Sequence, residues 1–461
     1  MKLSINNFKS IGSVANYEMR PLTILSGTNS SGKSSFIQLL LLMKQTLEID
    51  SAQRPLDLDG RIFKVRNYLD ILKEKQQDNK LKIEFVFNKI ELEKYNDFAE
   101  LSIYRAFDNY DLHIEIEFDT IDKQIIVNSF VVKIVTDLKS NEITYKNKGT
   151  SYSIETNVAV FSESLYGKEY TIKKINYSAF IPSNYEIEFN DGTKYKEVPK
   201  LDGIKAILRD FFANLNYVGP SRLTPKDEYS AFGKINTVGT EGENVAEVFY
   251  QLAEKTIPFF KIEEKDEVES FVKTEDSFLN AVKYWICDRF KMCADIYSKK
   301  EADNYAIYVK SLTGVESTIK HVGFGVSQVL PIIVEGLRIG FNETLVIEQP
   351  EIHLHPKVQS DLTDFFISLI KQDKKVILET HSDHLITRLR RRIAEDQDNQ
   401  LDNKVLLTFV EVGKDDVLFK NISINDFGIM ELPYPDDFIE RTDIELKAIL
   451  KAQMKKRLNR K

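Results

Sequence analysis

Alternation of apolar and polar residues dominates the chain between about residues 60 and 215. A period of two places successive side chains on opposite faces of a sheet, which is typical of half-buried strands. Short segments with asparagine, aspartate and glycine separate the alternating runs, as expected of antiparallel strands joined by turns. The predicted strands are 81–88, 112–119, 124–135, 152–160 and 170–180. We therefore predict an antiparallel β-rich insert over residues 61–215.

Apolar runs without alternation lie on either side of this region. Residues 22–25 read as a buried strand, and residues 34–42 are apolar nearly all round, which favours a buried helix. Residues 242–295 are interpreted as helical, within a helical or linking region over 216–320. The apolar and aromatic positions of that stretch include Phe259, Phe271 and Trp285. No sustained heptad pattern occurs, which argues against long coiled-coil arms.

The sequence GTNSSGKS, residues 27–34, connects the strand at 22–25 to the helix at 34–42. Its glycines permit backbone conformations closed to other residues, and the amides at a helix N-terminus attract an anion. Lys33 can reach the β- and γ-phosphates of a nucleotide, and the Ser34 hydroxyl can ligate Mg²⁺. The alternative is a serine-rich turn that matches the pattern by chance. The predicted nucleotide contacts are Gly27, Thr28, Asn29, Ser30, Ser31, Gly32, Lys33, Ser34 and Ser35.

Two later apolar strands end in side chains that suit the same site. In TLVIEQPEIHLHP the predicted strand 345–347 ends at Glu348, which is placed to join Ser34 in holding Mg²⁺. In KVILETHSDH the predicted strand 376–378 is followed closely by His381. Ligands of doubly wound sheets gather outside the carboxyl ends of the strands. We therefore expect Glu348 and His381 to converge on the loop at 27–34.

A second glycine-rich segment, HVGFGVSQVLPIIVEG, occupies residues 321–336. Gly323 and Gly325 precede Ser327 and Gln328, and we predict a helical run from Val329. Such a helix N-terminus can bind an anion, but no Gly-Lys pair follows, so this is not a second phosphate loop. One chain thus has one complete phosphate loop and one spare anion-binding helix end. Head-to-tail dimerisation explains both, with the Ser327 helix of one copy capping the γ-phosphate held by Lys33 of the other.

Bulk composition and charge describe an ordinary folded protein. The 461 residues are enough for two or three domains, with 42% apolar residues, 29% charged residues and a net charge of −8. Because the chain is acidic, any contact with nucleic acid must come from a local patch. The candidate patches are the arginine run at 388–392 and the basic cluster at 455–461, and each reads first as a solvated helix face.

Cysteine content and the N-terminus predict the compartment. Cys287 and Cys293 have no matching second pair, so neither a disulfide framework nor a zinc site is predicted. The N-terminal residues lack an apolar signal core, and the run near 39–43 is too short to span a bilayer. We therefore expect a cytoplasmic protein with no membrane partner.

Taken in order, the motifs GTNSSGKSS, GFGVSQ, VIEQPEIHLHP and ETHSDH resemble the ABC-type ATPase heads of the SMC, Rad50 and OLD group. The resemblance is closest to small bacterial ATPases that stand beside nucleases in anti-phage defence, such as the Septu and PARIS ATPases. It covers about the first 45 residues and most of 215–461, including YVGPSR at 217–222 and the chain end from 431. The implied fold is an α/β P-loop ATPase head, with residues 1–60 and 321–461 as its two halves.

The resemblance implies a role for each matched position. Residues 27–34 are the Walker A loop, Glu348 is the Walker B acid, and His381 is the switch histidine that senses the γ-phosphate. Gly325, Ser327 and Gln328 belong to the signature motif, which acts on the nucleotide of a second copy. The implied cofactors are ATP and Mg²⁺, and the implied assembly is a homodimer or a larger homo-oligomer. Phe8 and Lys9 are candidate adenine contacts, because the family places such contacts early in the chain.

One position departs from the family pattern. The glutamate that polarises the attacking water normally follows the Walker B acid, and here that position is Gln349. A glutamine can orient a water molecule but cannot take its proton, and loss of a general base costs about 10²–10⁴ in rate. Glu351 is one alternative for the missing base. The other is Glu348, which would then serve both as metal ligand and as base. We expect slow hydrolysis with Glu348, Gln349 and His381 as the catalytic residues.

Three functions remain open at this stage. The leading interpretation is a nucleotide-controlled switch that holds an effector nuclease or toxin in anti-phage defence. The second is a DNA-binding repair or recombination ATPase, for which the arginine run at 388–392 is the hint. The third is a self-contained metal-dependent nuclease that uses Glu411, Asp415 and Asp416. His353 and His355, two residues apart, are interpreted as supporting or dimer-contact residues rather than as metal ligands.

Overall fold

A computed structural model gives the fold over most of the chain. It describes residues 1–49, 54–76, 79–95, 97–102, 104, 107–149, 151–157, 170–222, 224–230, 233, 235–265, 268–398 and 400–431. Three sequence predictions fall wholly or partly elsewhere. The end of the strand predicted at 152–160, the basic cluster at 455–461 and the family-like chain end after 431 lie outside the described residues.

The strands and helices alternate unevenly along the chain. In order, the strands are β1 Lys2–Phe8, β2 Ile11–Glu18, β3 Leu22–Gly27, β4 Leu81–Asn88, β5 Tyr110–Ile121, β6 Gln124–Thr136, β7 Ser140–Asn147, β8 Tyr152–Thr156, β9 Tyr170–Ser178, β10 Ile181–Phe189, β11 Lys194–Glu197, β12 Leu215–Val218, β13 Tyr229–Ser230, β14 Thr256–Lys265, β15 Val268–Ser277, β16 Asp295–Glu301, β17 Asn304–Lys310, β18 Glu316–Thr318, β19 Thr344–Glu348, β20 Lys375–Glu379, β21 Val405–Val412 and β22 Val417–Ile422. The α helices are α1 Lys33–Ile49, α2 Lys89–Leu92, α3 Ala99–Ser102, α4 Asp202–Ala213, α5 Val245–Leu252, α6 Phe278–Lys283, α7 Phe324–Arg338, α8 Pro356–Ile370, α9 Asp383–Glu395 and α10 Leu401–Lys404.

A six-stranded sheet in the order β12-β19-β20-β3-β21-β22 organises one half of the fold. Its strands run parallel except β22, which pairs antiparallel with β21. Alternate residues of β3 enter two different cores, Leu22 and Ile24 on one face and Leu25 on the other. Both faces are therefore buried, which explains why these strands read as continuous apolar runs. The predicted α/β fold class is confirmed, as are the buried strand at 22–25 and the buried helix that follows it.

A ten-stranded antiparallel sheet in the order β11-β10-β9-β8-β7-β6-β5-β4-β1-β2 makes up most of the other half. The alternating segments at 81–88, 112–119 and 124–135 all lie in its strands, as predicted. The sheet also takes in β1 and β2, which precede the loop at 27–34, with β1 paired to β4. Residues from both 1–60 and 61–215 therefore build one sheet, and helix α1 packs into the same apolar core.

The helical interpretation of 242–295 is wrong for its central part. Strands β14 and β15 form an antiparallel hairpin over Thr256–Ser277, between helices α5 and α6. Phe259 is fully buried in the core beneath α7 and α8, whereas the outer part of β14 is exposed. The charged residues Glu263, Glu264 and Lys265, which are all exposed, hid the alternation toward the end of β14. The same region also contributes β16, β17 and β18 to a separate small sheet.

The described helices include none with the length and apolar character needed to cross a bilayer.

Candidate functional site

The loop at 27–34 is shaped by two residues whose backbone requires glycine. Gly27 has φ +138° and a Cβ there would lie 2.0 Å from the Val410 carbonyl oxygen. Gly32 has φ +102° and its Cβ would lie 2.6 Å from the Ser10 hydroxyl. No other residue type fits such close approaches at positive φ. The loop between β3 and α1 can therefore pass close to Val410 and Ser10, and its residues 29–32 line a cavity.

Lys33 stands at the first position of α1 and bends over the loop. Its ammonium donates to the carbonyl oxygens of Gly27, at 3.2 Å, and Thr28, at 2.6 Å. Burial lowers the pKa of Lys33, while the charges of Glu379 and Glu351 oppose that shift. The Ser31 hydroxyl is also buried, and no hydrogen-bond partner for it occurs among the described residues. A buried cation and an unpaired hydroxyl beside a turn of amides fit a phosphate chain.

A cavity of about 460 Å³ opens over this loop. It gathers the loop, the start of α1 and residues from the ends of two distant strands. Its lining consists of Lys9, Ser10, Asn29, Ser30, Ser31, Gly32, Lys33, Ser34, Ser35, Gln38, Gln349, Glu379 and His381. We call it the phosphate cavity. Of the two candidate adenine contacts, Lys9 lines the cavity, whereas Phe8 is fully buried in the core and is unsuited to that role.

Three carboxyl groups stand at the cavity wall or behind it, and those of Glu348 and Glu379 are buried. Glu348 and Glu379 end the neighbouring strands β19 and β20 and are paired in register. The Ser34 hydroxyl donates to Glu379 at 2.8 Å, while Glu348 accepts at 2.7 Å from the Tyr217 hydroxyl. Burial raises the pKa of Glu348 to about 7, and burial also raises the pKa of Glu379. Carboxylates and a hydroxyl are the ligands Mg²⁺ prefers, so this corner fits the ion.

The third carboxyl group, Glu351, positions the segment that carries His381. Its two oxygens accept from the His381 amide at 2.6 Å and from the Thr380 hydroxyl at 2.9 Å. Each oxygen thus accepts a hydrogen bond, and Glu351 holds this segment in place. The His381 ring is exposed to the cavity, and burial together with the charge of Lys33 lowers its pKa. At neutral pH the ring is uncharged and can donate one hydrogen bond toward a phosphate.

Arg222 is a site residue that the motif reading passed over, although it ends the sequence YVGPSR. Its guanidinium donates to the Glu348 carbonyl at 3.0 Å and reaches the Gln349 carbonyl. Burial lowers its pKa to about 10, against the charges of Glu351 and Glu348. Gln349 itself has a positive φ of 46°. The arginine thus fixes the turn after β19 that directs Gln349 into the phosphate cavity.

The second glycine-rich segment lies elsewhere on the chain surface. Helix α7 begins at Phe324, five residues before the predicted start at Val329, with Gly323 as its N-cap. The earlier start arises because 326–328 are already buried against the core. Ser327 donates its hydroxyl proton to the Phe324 carbonyl, and the buried Gln328 amide nitrogen has no partner among the described residues.

A separate groove of about 760 Å³ runs beside the N-terminus of α7. Its lining includes Gly323, Gly325, His353, His355 and Lys357, and no carboxylate occurs among the described residues of its wall. The His353 ring packs edge-on against Phe324, 5.3 Å between centroids, and His355 caps helix α8. The supporting or dimer-contact roles expected of the two histidines stay predictions. None of the groove lining is shared with the phosphate cavity.

The arginine run at 388–392 is largely neutralised within the fold. Arg388 and Arg392 both donate to Asp364 and to Glu269 of the β14–β15 hairpin. Arg391 pairs with Glu395, and Arg390 donates to the Gly428 carbonyl. Most of the run is therefore occupied by contacts within the fold, and Arg391 is its exposed arginine.

The acids proposed for a nuclease centre do not converge. Asp416 accepts from the amides of Gly12 and Ser13 and pairs with Lys73, while Glu411 pairs with Lys420. Within the described residues no group of three or more histidine, cysteine, aspartate or glutamate side chains is arranged to hold a metal ion. The self-contained nuclease therefore has no structural basis in this part of the chain.

Comparison with known proteins gives one family match. The family described as an AAA ATPase domain matches residues 1–386. No curated protein matches the chain. Among solved structures, the chain is similar to an SMC head bound to the C-winged helix domain of ScpA, with 11% identity, a TM-score of 0.40, and 92% of this chain and 97% of that chain covered. It is also similar to the SMC head domain from Thermotoga maritima, with 9% identity, a TM-score of 0.36, and 91% and 97% covered.

Proposed function

The chain belongs to the AAA ATPase domain family and is a P-loop ATPase, and from that premise we propose that it is a nucleotide-controlled switch. Two copies close on ATP and Mg²⁺ in the cytoplasm, each offering its α7 N-terminus to the nucleotide of the other. The nucleotide state opens or closes this dimer, or a larger homo-oligomer. That change determines whether the assembly holds or releases an effector protein. Glu348, Gln349 and His381 act on the γ-phosphate and its attacking water within one chain.

The observation that carries this proposal is the separation of two anion-binding features. The phosphate cavity takes lining from Lys33, Gln349 and His381, but from no described residue of α7. The α7 N-terminus lies instead at the groove beside His353, where the side chains are cationic or neutral. A helix N-terminus beside cationic side chains attracts a phosphate. A nucleotide in the phosphate cavity of the same chain would not reach this helix, so the simplest source of the phosphate is the nucleotide bound to a second copy.

The first test replaces Gly323 at the N-cap of α7. Its φ is negative, and a Cβ there would meet nothing within 4 Å, so a side chain fits. Gly323→Asp favours the helix but repels a γ-phosphate arriving from a partner. We expect the variant to weaken nucleotide-dependent dimerisation at least about tenfold, because like charges at short range repel by several kcal/mol at a protein surface. Sedimentation velocity with Mg²⁺ and a non-hydrolysable ATP analogue measures this.

The matched control is Gly323→Asn, which has the same size without the charge. It should dimerise within about twofold of the parent, and both variants should bind the nucleotide as the parent does. Equal dimerisation by Gly323→Asp and Gly323→Asn would show that no phosphate reaches the α7 N-terminus. The proposed shared site would then be wrong.

Hydrolysis should be slow because Gln349 cannot act as a base. The glutamine lines the phosphate cavity on a turn fixed by Arg222. Gln349→Glu should raise the single-turnover rate of phosphate release by roughly 10- to 100-fold, since a positioned general base is worth about 10²–10⁴. Gln349→Ala should lower the rate below that of the parent. Hydrolysis by Gln349→Ala at the parental rate would exclude Gln349 as the residue that orients the water.

The proposed switch acts on an effector protein. The resemblance to anti-phage ATPases favours a nuclease or toxin encoded nearby, and the acidic chain suits a basic partner. Purification of the native complex with Mg²⁺ and ATP, followed by mass spectrometry, tests for it. A DNA-repair ATPase would instead bind DNA with strong salt dependence. The commitment of Arg388 and Arg392 to Asp364 and Glu269 disfavours that rival.

A further inference from the structure

We propose that Glu379 is a direct ligand of the Mg²⁺ that accompanies the bound nucleotide, next to the Ser34 hydroxyl. The inference rests on the proposed nucleotide site and assigns its metal-binding acid to a different strand from the one expected. The sequence pattern pointed to Glu348. The structure places Glu379 against Ser34, and Glu348 against Tyr217.

Sheet order gives the first reason. Strand β20 lies between β19 and β3, so Glu379 is one strand from the phosphate loop and Glu348 is two. Neighbouring strands are about 4.8 Å apart, and the in-register pairing of Glu348 with Glu379 leaves no offset along the strands to compensate. Glu379 lines the phosphate cavity, whereas Glu348 does not.

The distance between the two oxygens gives the second reason. Mg²⁺ holds oxygen ligands at about 2.1 Å in an octahedron, which puts adjacent ligand atoms about 3.0 Å apart. The Ser34 hydroxyl oxygen and the Glu379 carboxylate oxygen are 2.8 Å apart. They already span one edge of such an octahedron. The ion can bind when the hydroxyl turns its proton away from the carboxylate, without any change of side-chain position.

Burial gives the third reason. Glu379 is only 3% exposed, and a buried carboxylate needs a compensating charge. The Lys33 ammonium acts on Glu379 through its charge, but its hydrogen bonds go to the Gly27 and Thr28 carbonyls. Glu348 and Glu351 add further negative charge to the same corner. A divalent cation at Glu379 supplies the missing positive charge, and Glu348 with its Tyr217 bond is left to position ligands from behind.

The test compares Glu379→Gln with Glu348→Gln, because each substitution keeps the shape and removes one negative charge. Mn²⁺ replaces Mg²⁺ as the probe, and electron paramagnetic resonance measures free Mn²⁺ in the presence of a saturating non-hydrolysable ATP analogue. Glu379→Gln should weaken Mn²⁺ binding at least about tenfold, and Glu348→Gln by less than about threefold. Nucleotide affinity in EDTA should stay within about twofold of the parent for both variants.

The outcomes separate this inference from the proposed function. If the parent protein binds no nucleotide with or without metal, the proposed function fails. If the parent binds nucleotide and Glu348→Gln loses more Mn²⁺ affinity than Glu379→Gln, only the assignment of Glu379 fails. Glu379→Asp is a second variant that keeps the charge and retracts the carboxylate by one methylene. It should lose part of the Mn²⁺ affinity, and full parental affinity in this variant would also overturn the assignment.

Discussion

Lys33→Met should reduce ATP affinity by at least about 100-fold, because it removes a buried ammonium from the phosphate cavity and keeps the aliphatic stem. A charged hydrogen bond to phosphate is worth about 1.5–3 kcal/mol, and the Lys33 ammonium can make more than one. Lys9 also lines the cavity, but its ammonium donates to Gln38. Isothermal titration calorimetry with Mg²⁺ and ATP measures the loss.

Helix α1 offers a matched control in Lys44. This lysine is also buried, and its ammonium donates to the Phe212 carbonyl and pairs with Glu48, away from the phosphate cavity. Lys44→Met should cost stability as Lys33→Met does, but should leave ATP affinity unchanged. If the two variants lose affinity equally, the effect of Lys33→Met comes from a loosened helix, and Lys33 does not hold the phosphates.

The parts of the site that could be predicted from the sequence are those fixed by local backbone rules. GTNSSGKS requires glycine at two close approaches, and the apolar strands on both sides of it define a buried parallel sheet. His381 and Gln349 follow their strands within two residues, so sheet topology alone brings them to the cavity. These relations need no knowledge of the remaining chain.

What escaped prediction depends on contacts between distant segments. Glu379 ends the apolar strand β20 just as Glu348 ends β19, so both carried the same signal, and only the strand order shows which acid is nearer to Ser34. Arg222 gains its role because the fold buries it behind Glu348. The β14–β15 hairpin was hidden because β14 ends in the exposed charged residues 263–265, although Ile257 and Phe259 enter the core nearer its base.

The arginine run at 388–392, which the sequence predicts to be a solvated helix face, forms ion pairs within the fold. Asp364 of α8 is fully buried and accepts hydrogen bonds from Arg289, Arg388 and Arg392. Glu269 of the hairpin bonds to the same three arginines. Helix α9 begins at Asp383, two residues after His381. This cluster therefore ties the hairpin and α8 to the helix that directly follows His381, the proposed γ-phosphate sensor.

Asp364→Asn should destabilise the fold by about 3–5 kcal/mol, because it removes the more deeply buried of the two carboxylates that these guanidinium groups share. Trp285 is the single tryptophan and is fully buried. Its ring centroid lies 5.2 Å from that of Phe365, which follows Asp364 in α8. Its fluorescence during urea denaturation therefore reports unfolding of this half. The matched control, Arg391→Gln, removes a half-exposed arginine and should cost less than about 1 kcal/mol.

The dependence on pH separates loss of charge from a packing defect. Burial alone would raise the pKa of Asp364, but hydrogen bonds from Arg392 and Arg388 outweigh it and hold the pKa below its ordinary value. Stability from such a group is present above the pKa of an unfolded aspartate, about 3.9, and is lost as the pH falls through the lower folded value. The difference between parent and Asp364→Asn should therefore be constant from pH 6 to 8, within about 0.5 kcal/mol, and should shrink below about pH 4. A difference that stays constant down to acid unfolding would mean that the amide packs badly, and that the buried charge does not hold α9 in place.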